Sequence, residues 1–193
     1  IDVGMQRSTD NGETWSKMTT ILDFDAKVAG SRGNGVGDPA VLVDRETGYI
    51  YVIALWSHGD RAWNGSKPGL GKEETGQLVL TVSKDDGLTW AEPRNITAEI
   101  KRRDPKWRLL FNGPGNGIQL SGGSLVFAAQ FRDTDGLPHS CLLYSNDGGE
   151  TWTVSAPAIA NKPPTSEAQV AQLTDGSLLL SMRDESRSGK RLW

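Results

Sequence analysis

Three copies of one eight-residue pattern constrain the fold of this chain more than any other feature of its sequence. The pattern reads Ser-x-Asp-x-Gly-x-Thr-Trp, and it occupies residues 8–15, 83–90 and 145–152, with starts 75 and 62 residues apart. Three matches without a mismatch indicate a repeat protein. In each copy the Asp is expected to bond the backbone two residues on, Gly accepts a positive φ, and Thr-Trp resumes an extended strand with a large ring to bury. Each copy is therefore predicted to be a stapled turn between two strands.

The composition indicates an all-β protein with one large core. Twenty-three Gly and nine Pro are scattered among short apolar runs in 193 residues, which is typical of many strands joined by tight turns. The net charge of −3 gives no reason to expect a nucleic-acid partner, and no long apolar span predicts membrane insertion. The single cysteine, Cys141, lies in an apolar run and is interpreted as a small buried residue.

The strand pattern predicts repeated four-stranded units. Almost none of the chain has helical periodicity, and short apolar runs bounded by Gly, Pro, Asn or Asp recur before each octapeptide. Units of this size that close radially are the blades of a β-propeller. The predicted strands are residues 1–5, 41–43, 49–56, 77–82, 117–120, 125–131, 141–144, 169–173 and 177–182.

The octapeptide is the Asp-box, and together with four other segments it resembles the bacterial exo-sialidase (neuraminidase) family. Those segments are Val36-Gly37-Asp38-Pro39, Gly113 to Leu120, Ser166-Glu167 and Ser181-Met182-Arg183-Asp184. The resemblance covers nearly all of residues 1–193 in the right order, and it implies a six-bladed propeller. The box spacing leaves room for about three blades, so the chain is expected to be an incomplete fragment, about the first half of the catalytic domain. It should need the remaining blades to cover its open strand edges.

The resemblance implies exo-α-sialidase activity: retaining hydrolysis of terminal sialic acids through a tyrosyl intermediate, with sialylated glycoconjugates as substrates. Arg183 is implied to be the second of three arginines that bind the substrate carboxylate, a task suited to a planar fork of donors. Glu167 is implied to accept the proton of the nucleophilic Tyr. From the residues alone, a surface ion pair of Arg183 with Asp184 or Glu185, and a solvated Glu167, stay open.

Five further residues are predicted to bind substrate. Asp38 matches an acidic residue of the glycan pocket, although Asp before Pro is also a common turn former. Val36, Leu55 and Trp56 are candidates for an apolar wall around the N-acetyl group. Gln119 follows a glycine-rich segment, residues 113–117, that either lets backbone approach a ligand or is a plain tight turn. The tryptophans in loop-like surroundings, Trp63 and Trp107, are interpreted as structural.

The remaining catalytic groups are expected outside the chain. They are the acid/base Asp, the nucleophilic Tyr and the first and third arginines, so the 193-residue chain alone is predicted to be inactive. No metal or other cofactor is expected. The resemblance implies a secreted, periplasmic or cell-surface location. The alternative is a non-catalytic Asp-box propeller that binds glycan or protein through the same face.

Overall fold

The computed structural model describes residues 1–24, 35–186 and 191–192, and these residues form an all-β structure with two short helical turns. A four-residue helix, α1 (Thr97–Ile100), leads directly into a 3-10 turn (Lys101–Arg103). The strands are β1 (Val3–Met5), β2 (Thr19–Leu22), β3 (Gly35–Val43), β4 (Ile50–Ser57), β5 (Gln77–Ser83), β6 (Arg94–Asn95), β7 (Leu109–Asn112), β8 (Gly115–Asn116), β9 (Ile118–Gln119), β10 (Leu125–Arg132), β11 (Pro138–Ser145), β12 (Thr153–Val154), β13 (Thr165–Gln172), β14 (Leu178–Asp184) and β15 (Arg191–Leu192).

Apart from β8, which pairs in parallel with β3, the strands pair antiparallel in the up-and-down order of propeller blades. Two sheets are complete four-stranded blades, β3-β4-β5-β6 and β7-β10-β11-β12, to which the short strands β8 and β9 add at the edges. A three-stranded sheet, β13-β14-β15, follows them, and a two-stranded sheet, β1-β2, precedes them. The described residues therefore form an incomplete propeller of about three blades, as predicted.

Several strands were not predicted because their local sequence lacks the pattern of an extended strand. The outer strands β6 and β12 have two residues each, too short for any alternation to show. Strand β7 (Leu-Leu-Phe-Asn) is buried along its whole length and so lacks a polar face. Strand β3 begins at Gly35, six residues before the predicted start, since Gly-Val-Gly-Asp-Pro has the composition of a turn.

The main core lies between the two complete blades. Leu78 and Ile53 from one blade and Phe127 and Leu143 from the other are fully buried in the same cluster. Burial of this apolar surface is the principal driving force for packing one blade on the next. Cys141 belongs to this cluster, as predicted for a small buried residue.

All three Asp-boxes have the same hydrogen-bonded turn. In the second box, Ser83 Oγ accepts the Gly87 N–H at 2.8 Å, and Asp85 Oδ1 accepts the Thr89 N–H at 2.8 Å. Asp85 Oδ2 also accepts the Thr89 hydroxyl at 2.5 Å. The carboxylate therefore bonds the residue four positions on, and the prediction of a bond two positions on was wrong. The two turn residues Asp86 and Gly87 have φ of 57° and 79°, the left-handed pair that a tight hairpin requires.

The second and third boxes also join their sheets to the preceding one. Trp152, from the third box, is 3% exposed and packs between Tyr51 and Phe127, which belong to different blades. The Tyr51 hydroxyl donates to the carbonyl oxygen of Gly148 in the same box at 2.7 Å. In the first box Trp15 is 61% exposed, since the described residues include no sheet before β1 for its ring to pack on. The octapeptide is thus both a turn and an interface element.

The box geometry gives a stability prediction. Replacing Asp85 with Ala removes three acceptor contacts of one turn, and we expect the unfolding midpoint at pH 7 to fall by about 5 °C. Thermal unfolding followed by circular dichroism measures this shift. Replacement of the neighbouring exposed Asp86 by Asn, which tolerates the same φ, serves as the control and should change the midpoint little.

The same turn should make part of the stability pH-dependent. The Thr151 hydroxyl and amide lower the pKa of Asp147 to about 2, below its value in an unfolded chain. This contribution is present above pH 4 and disappears as pH falls towards 2. A midpoint difference between wild type and an Asp147→Ala variant that stayed constant down to pH 2 would contradict this origin of the stability.

Candidate functional site

Two carboxylates that the sequence predicts as functional lie on irregular backbone at equivalent places in two sheets. The register of β3 with β4 shifts between Gly37 and Ala40, around Asp38, and that of β13 with β14 shifts between Ser166 and Gln169, around Glu167. Asp38 and Glu167 have φ of 51° and 36°, values that non-glycine residues rarely adopt. Bulges and left-handed residues of this kind cluster at binding sites, where they redirect a side chain.

Both carboxylates line one cavity of about 370 Å³, a volume typical of small-molecule sites. The cavity lies at the starts of β3 and β13 and the ends of β4 and β14. The Asp-boxes follow the third strands and so lie at the other end of the sheets. One wall is polar and one is apolar. The polar wall consists of Asp38, Gln130, Ser166, Glu167, Arg183 and Glu185, and the apolar wall of Leu55, Ala62, Trp63, Phe111 and Pro114.

Arg183 lies between two carboxylates on the polar wall. Its Nη1 is 2.9 Å from Glu167 Oε2, and its Nε is 3.3 Å from Glu185 Oε1. Glu185 also accepts a hydrogen bond from the Ser166 hydroxyl, and Ser166 is the register partner of Arg183 across β13 and β14. The ion pair with Glu167, followed by that with Glu185, raises the pKa of Arg183 further above its usual range. The guanidinium is therefore a permanent cation that contacts a carboxylate on each of two sides.

The Arg183–Glu167 pair is accessible to a ligand. The two side chains are 52% and 49% exposed, so an incoming anion can reach the guanidinium without displacing core residues. The surface ion pair of Arg183 with Glu185 is present, and the same side chain lines the cavity, while its binding of a substrate carboxylate stays a prediction. A carboxylate ligand would exchange one anionic partner of Arg183 for another.

Two buried amides hold the strained backbone around the carboxylates. Gln130 Oε1 accepts the Glu167 N–H at 3.0 Å, and Asn112 Nδ2 donates to the Asp38 carbonyl oxygen at 2.6 Å. Gln130 is 1% exposed and Asn112 is fully buried. Sequence reasoning missed both residues. The available signal was a lone amide in an otherwise apolar strand, in Leu-Leu-Phe-Asn of β7 and Phe-Ala-Ala-Gln of β10.

The environment of Asp38 disfavours its charged form. Burial in the concave site raises the pKa of Asp38 above its ordinary value, and the nearby Glu167 carboxylate raises it further. The site thus holds several carboxylates but one arginine among the described lining residues. It is suited to a ligand that brings one negative charge for Arg183 and hydroxyl donors for Asp38.

The raised pKa gives a second stability prediction. Because folding raises the pKa of Asp38, its ionisation favours the unfolded chain, and the cost is present at pH 7 and absent below about pH 3.9. Asp38→Asn removes this cost and keeps a residue that tolerates a positive φ, so we expect a midpoint about 1–3 °C higher at pH 7.

Thermal scans at pH 7 and pH 3.5 check this expectation, with Asp38→Ala as the comparison. Ala also removes the charge but is less suited to the left-handed backbone, so its gain at pH 7 should be smaller. An Asn variant less stable than wild type at pH 7 would show that the Asp38 carboxylate stabilises the fold.

Three predicted substrate-binding residues do not line the cavity. Val36 is fully buried and pairs with Trp56 across β3 and β4, in a cluster that also holds Val52 and Val79. The Trp56 ring packs on Phe24 with centroids 4.9 Å apart. Successive strand residues face opposite ways, so Leu55 reaches the cavity and its neighbour Trp56 does not. The observed apolar wall keeps Leu55 from the prediction and adds Ala62, Trp63 and Phe111.

Gln119 and the glycine-rich segment have packing roles in the structure. Gln119 Nε2 donates to Asp44 Oδ1 at 2.6 Å and its Oε1 accepts the Arg45 N–H at 2.7 Å, which ties β9 to the turn after β3. A Cβ on Gly117 would lie 2.7 Å from the Val126 carbonyl oxygen, and one on Gly115 would lie 2.4 Å from Gln169 Nε2. The tight turn is not observed: residues 115–116 form the short strand β8 beside β3, and the glycines allow this segment to pack closely between sheets.

The loop tryptophans differ in their surroundings. Trp107 is 8% exposed and stacks on Phe131 with centroids 3.9 Å apart, in agreement with its structural interpretation. Trp63 packs edge-on against Phe111 at 6.0 Å and at the same time forms part of the cavity wall. Trp63 therefore joins the core to the site.

The described part of the chain contains neither a cluster of metal ligands nor a membrane-spanning helix. No group of three or more His, Cys, Asp or Glu residues is arranged to hold a metal ion there. Among the same residues, no helix has the length and apolarity that a membrane crossing requires.

Comparison with known proteins places this arrangement in context. The family model described as a BNR repeat-like domain matches residues 1–191. A sialidase of Bacteroides fragilis is 48% identical over 99% of this chain, and one of Micromonospora viridifaciens is 36% identical over 96% of it. Among solved structures, the Hadza microbial sialidase Hz136 is 50% identical over 96% of the chain, with a TM-score of 0.88. The chain spans 35% and 28% of the two curated relatives and 36% of the solved chain.

Proposed function

Because the chain belongs to the BNR repeat-like family and its relatives include sialidases, we propose that it supplies part of the active site of an exo-α-sialidase. The observation that carries this proposal is the cavity lined by Asp38, Glu167 and Arg183. The two carboxylate residues have a strained, left-handed backbone, and Arg183 forms an ion pair with Glu167. The Bacteroides fragilis relative, which is 48% identical over 99% of this chain, is a sialidase. The substrates would be sialylated glycoproteins, glycolipids and oligosaccharides.

In this proposal, Arg183 binds the carboxylate of a terminal sialic acid. The sugar carries that carboxylate on its anomeric carbon, so binding it fixes the reacting carbon over the polar wall. Glu185 occupies the Nε side of Arg183 and Glu167 contacts Nη1, which limits the orientations open to the guanidinium. The ligand carboxylate would bind at the exposed edge of the guanidinium, with two parallel hydrogen bonds.

Glu167 would act on a tyrosine supplied by the rest of the protein. A carboxylate nucleophile would be repelled by the substrate carboxylate, whereas a neutral Tyr can approach and be deprotonated as it attacks. Hydrolysis through a tyrosyl intermediate places two displacements at the anomeric carbon and retains its configuration. A separate acid must protonate the leaving oxygen.

The two other sides of the cavity would set the fit of the sugar. Asp38 would accept hydrogen bonds from sugar hydroxyls, because its carboxylate lines the cavity and suits a ligand with several donors. The apolar wall formed by Leu55, Ala62, Trp63 and Phe111 would receive the methyl of the N-acetyl group. This wall replaces the predicted one, which included Val36 and Trp56.

Turnover of a fluorogenic α-sialoside by the purified full-length gene product tests the proposed function. Proton NMR of the first-formed sugar distinguishes retention from inversion, and intact-mass analysis after reaction with 2,3-difluorosialic acid tests for a covalent intermediate. Retention together with a mass increase equal to one sugar, located on a tyrosine by peptide fragmentation, would support the full proposal. A folded full-length product that binds sialic acid but gives no turnover would instead indicate a glycan-binding propeller.

A further inference from the structure

A lysine is fully buried beneath the loop that forms part of the cavity wall. Lys101, the first residue of the 3-10 turn after α1, has no exposed surface. Its ammonium donates to the Gly69 carbonyl oxygen at 2.6 Å and lies 3.4 Å from the Arg108 carbonyl oxygen. A buried charge is costly unless it is well satisfied, so a lysine at this position needs an explanation beyond packing.

The carbonyl of Gly69 belongs to a long connection between β4 and β5, residues 58–76, here called the wall loop. In this loop Trp63 packs on Phe111, and its carbonyl oxygen accepts a hydrogen bond from Arg132. Polar contacts hold the part of the loop around Gly69. Glu74 Oε2 accepts the Leu70 and Gly71 N–H groups at 3.0 and 2.9 Å, and the Gly69 N–H donates to the Pro105 carbonyl oxygen at 3.0 Å. The hydrogen bond from Lys101 to the Gly69 carbonyl is next to these contacts in the loop, and it connects the loop to the segment that precedes β7.

A chain of hydrogen bonds connects this anchored half of the wall loop to the half that lines the cavity. The Lys67 N–H donates to the Glu74 carbonyl oxygen at 2.8 Å, and the Gly76 N–H donates to Ser66 Oγ at 3.0 Å. The Ser66 N–H in turn donates to the Ala62 carbonyl oxygen at 3.2 Å. Ala62 and the next residue, Trp63, are the two members of the apolar wall that the loop supplies.

We propose that Lys101 is a positioning residue, which anchors the wall loop at Gly69 so that Ala62 and Trp63 stand where the substrate's apolar group binds. The loop part of this inference stands on the contacts alone, and the substrate part rests on the proposed sialidase function. Lys101 contacts neither the cavity nor a reacting group among the described residues. Its effect on binding is transmitted through the loop backbone.

The first test measures the loop directly in the full-length gene product. Lys101→Met keeps the aliphatic volume and removes the donor, so the Gly69 carbonyl loses its buried partner. Hydrogen exchange followed by mass spectrometry should show protection within residues 58–76 reduced about tenfold, with β7 and β10 unchanged. Lys106→Met, the same change at an exposed site on the same segment, is the matched control and should leave the loop as in wild type. Unchanged protection in the Lys101 variant would overturn the proposal.

The second test needs no substitution and keeps the idea falsifiable if the variant does not fold. Burial lowers the pKa of Lys101 to about 8, although Glu74 and Asp104 oppose this shift. Opening of the wall loop would expose the amine and return its pKa towards its normal value of about 10.4, so opening takes up a proton. Protection factors of the loop in wild type should therefore rise between pH 7 and pH 9. No change, or a fall, would show that opening the loop does not expose Lys101.

The third test connects the loop to substrate binding in the full-length gene product. If the loop positions the apolar wall, Lys101→Met should raise KM for a fluorogenic sialoside about 3- to 10-fold while kcat stays within about twofold. Loosened loop protection with an unchanged KM would overturn the link to the substrate and leave the sialidase proposal standing. Absence of turnover in wild type would instead refute the proposed function, and the two exchange experiments would still decide whether Lys101 anchors the loop.

Discussion

Replacing Glu167 with Gln in the full-length gene product is expected to lower kcat about 10²- to 10⁴-fold, the usual range for loss of a general base. Gln has the same size and can still accept a hydrogen bond from Arg183, so substrate affinity should change little. What it lacks is the basicity needed to take the proton of an attacking tyrosine. The loss should therefore appear in single-turnover rates as well as in kcat.

The control for this prediction is Glu92→Gln. Glu92 is exposed and follows the second Asp-box, at the end of the sheets away from the cavity, so its replacement should leave kcat and KM as in wild type. The positive φ of Glu167 is kept by its hydrogen bond to Gln130, a contact to the backbone that the Gln substitution leaves in place. A Glu167→Gln enzyme that loses affinity but keeps its rate would refute the role of base.

Local sequence chemistry determines much of the fold, and this part was predictable. The Asp-box specifies its own turn through a Ser, an Asp and a Thr within eight residues, so its presence can be read without knowledge of any distant contact. The hairpin partners of long strands such as β10 and β11 follow from the same signals. Short outer strands such as β6 form only because a blade is already there to pair with, and a two-residue segment carries no pattern of its own.

The site was predictable only in part, for a related reason. Residues inside recognisable segments, Glu167, Arg183, Asp38 and Leu55, do meet in one cavity. The amides that hold them there act over sequence separations of 37 residues for Gln130 with Glu167 and 74 for Asn112 with Asp38. Contacts of this range depend on how sheets pack, which a strand pattern does not reveal. Val36 and Trp56 pair with each other and pack in the cluster that holds Val52 and Val79, away from the cavity. Alternation along β4 places Trp56 on the face opposite to its neighbour Leu55.

The backbone and the amides form one arrangement. A left-handed carboxylate residue costs free energy, and such strain persists only where surrounding contacts fix it. Each carboxylate here has one buried amide bonded to its own backbone: Gln130 to the N–H of Glu167 and Asn112 to the carbonyl of Asp38. Two buried polar side chains thus hold the backbone that directs two carboxylates into the same cavity. This arrangement is consistent with a site where the orientation of the carboxylates matters more than stability.

The second large effect is expected at Arg183. Arg183→Ala should weaken binding of free sialic acid to the full-length gene product about 10- to 100-fold, because it removes the charge-assisted contact to the ligand carboxylate and leaves Glu167 and Glu185 without their shared cation. The half-exposed position of the side chain allows water to compensate in part, which keeps the expected loss below that of a fully buried pair. Isothermal titration calorimetry at pH 7 measures it.

Two further variants separate charge from geometry at this position. Arg183→Lys keeps the positive charge but replaces a planar fork by a point charge, so it should recover only part of the lost affinity. Arg102→Ala, which removes an exposed arginine that does not line the cavity, should bind sialic acid as wild type does. Full recovery with Lys would mean that the site requires charge alone. Unchanged affinity in Arg183→Ala would show that the substrate carboxylate binds elsewhere, since the cation nearest to Glu167 would then take no part in holding it.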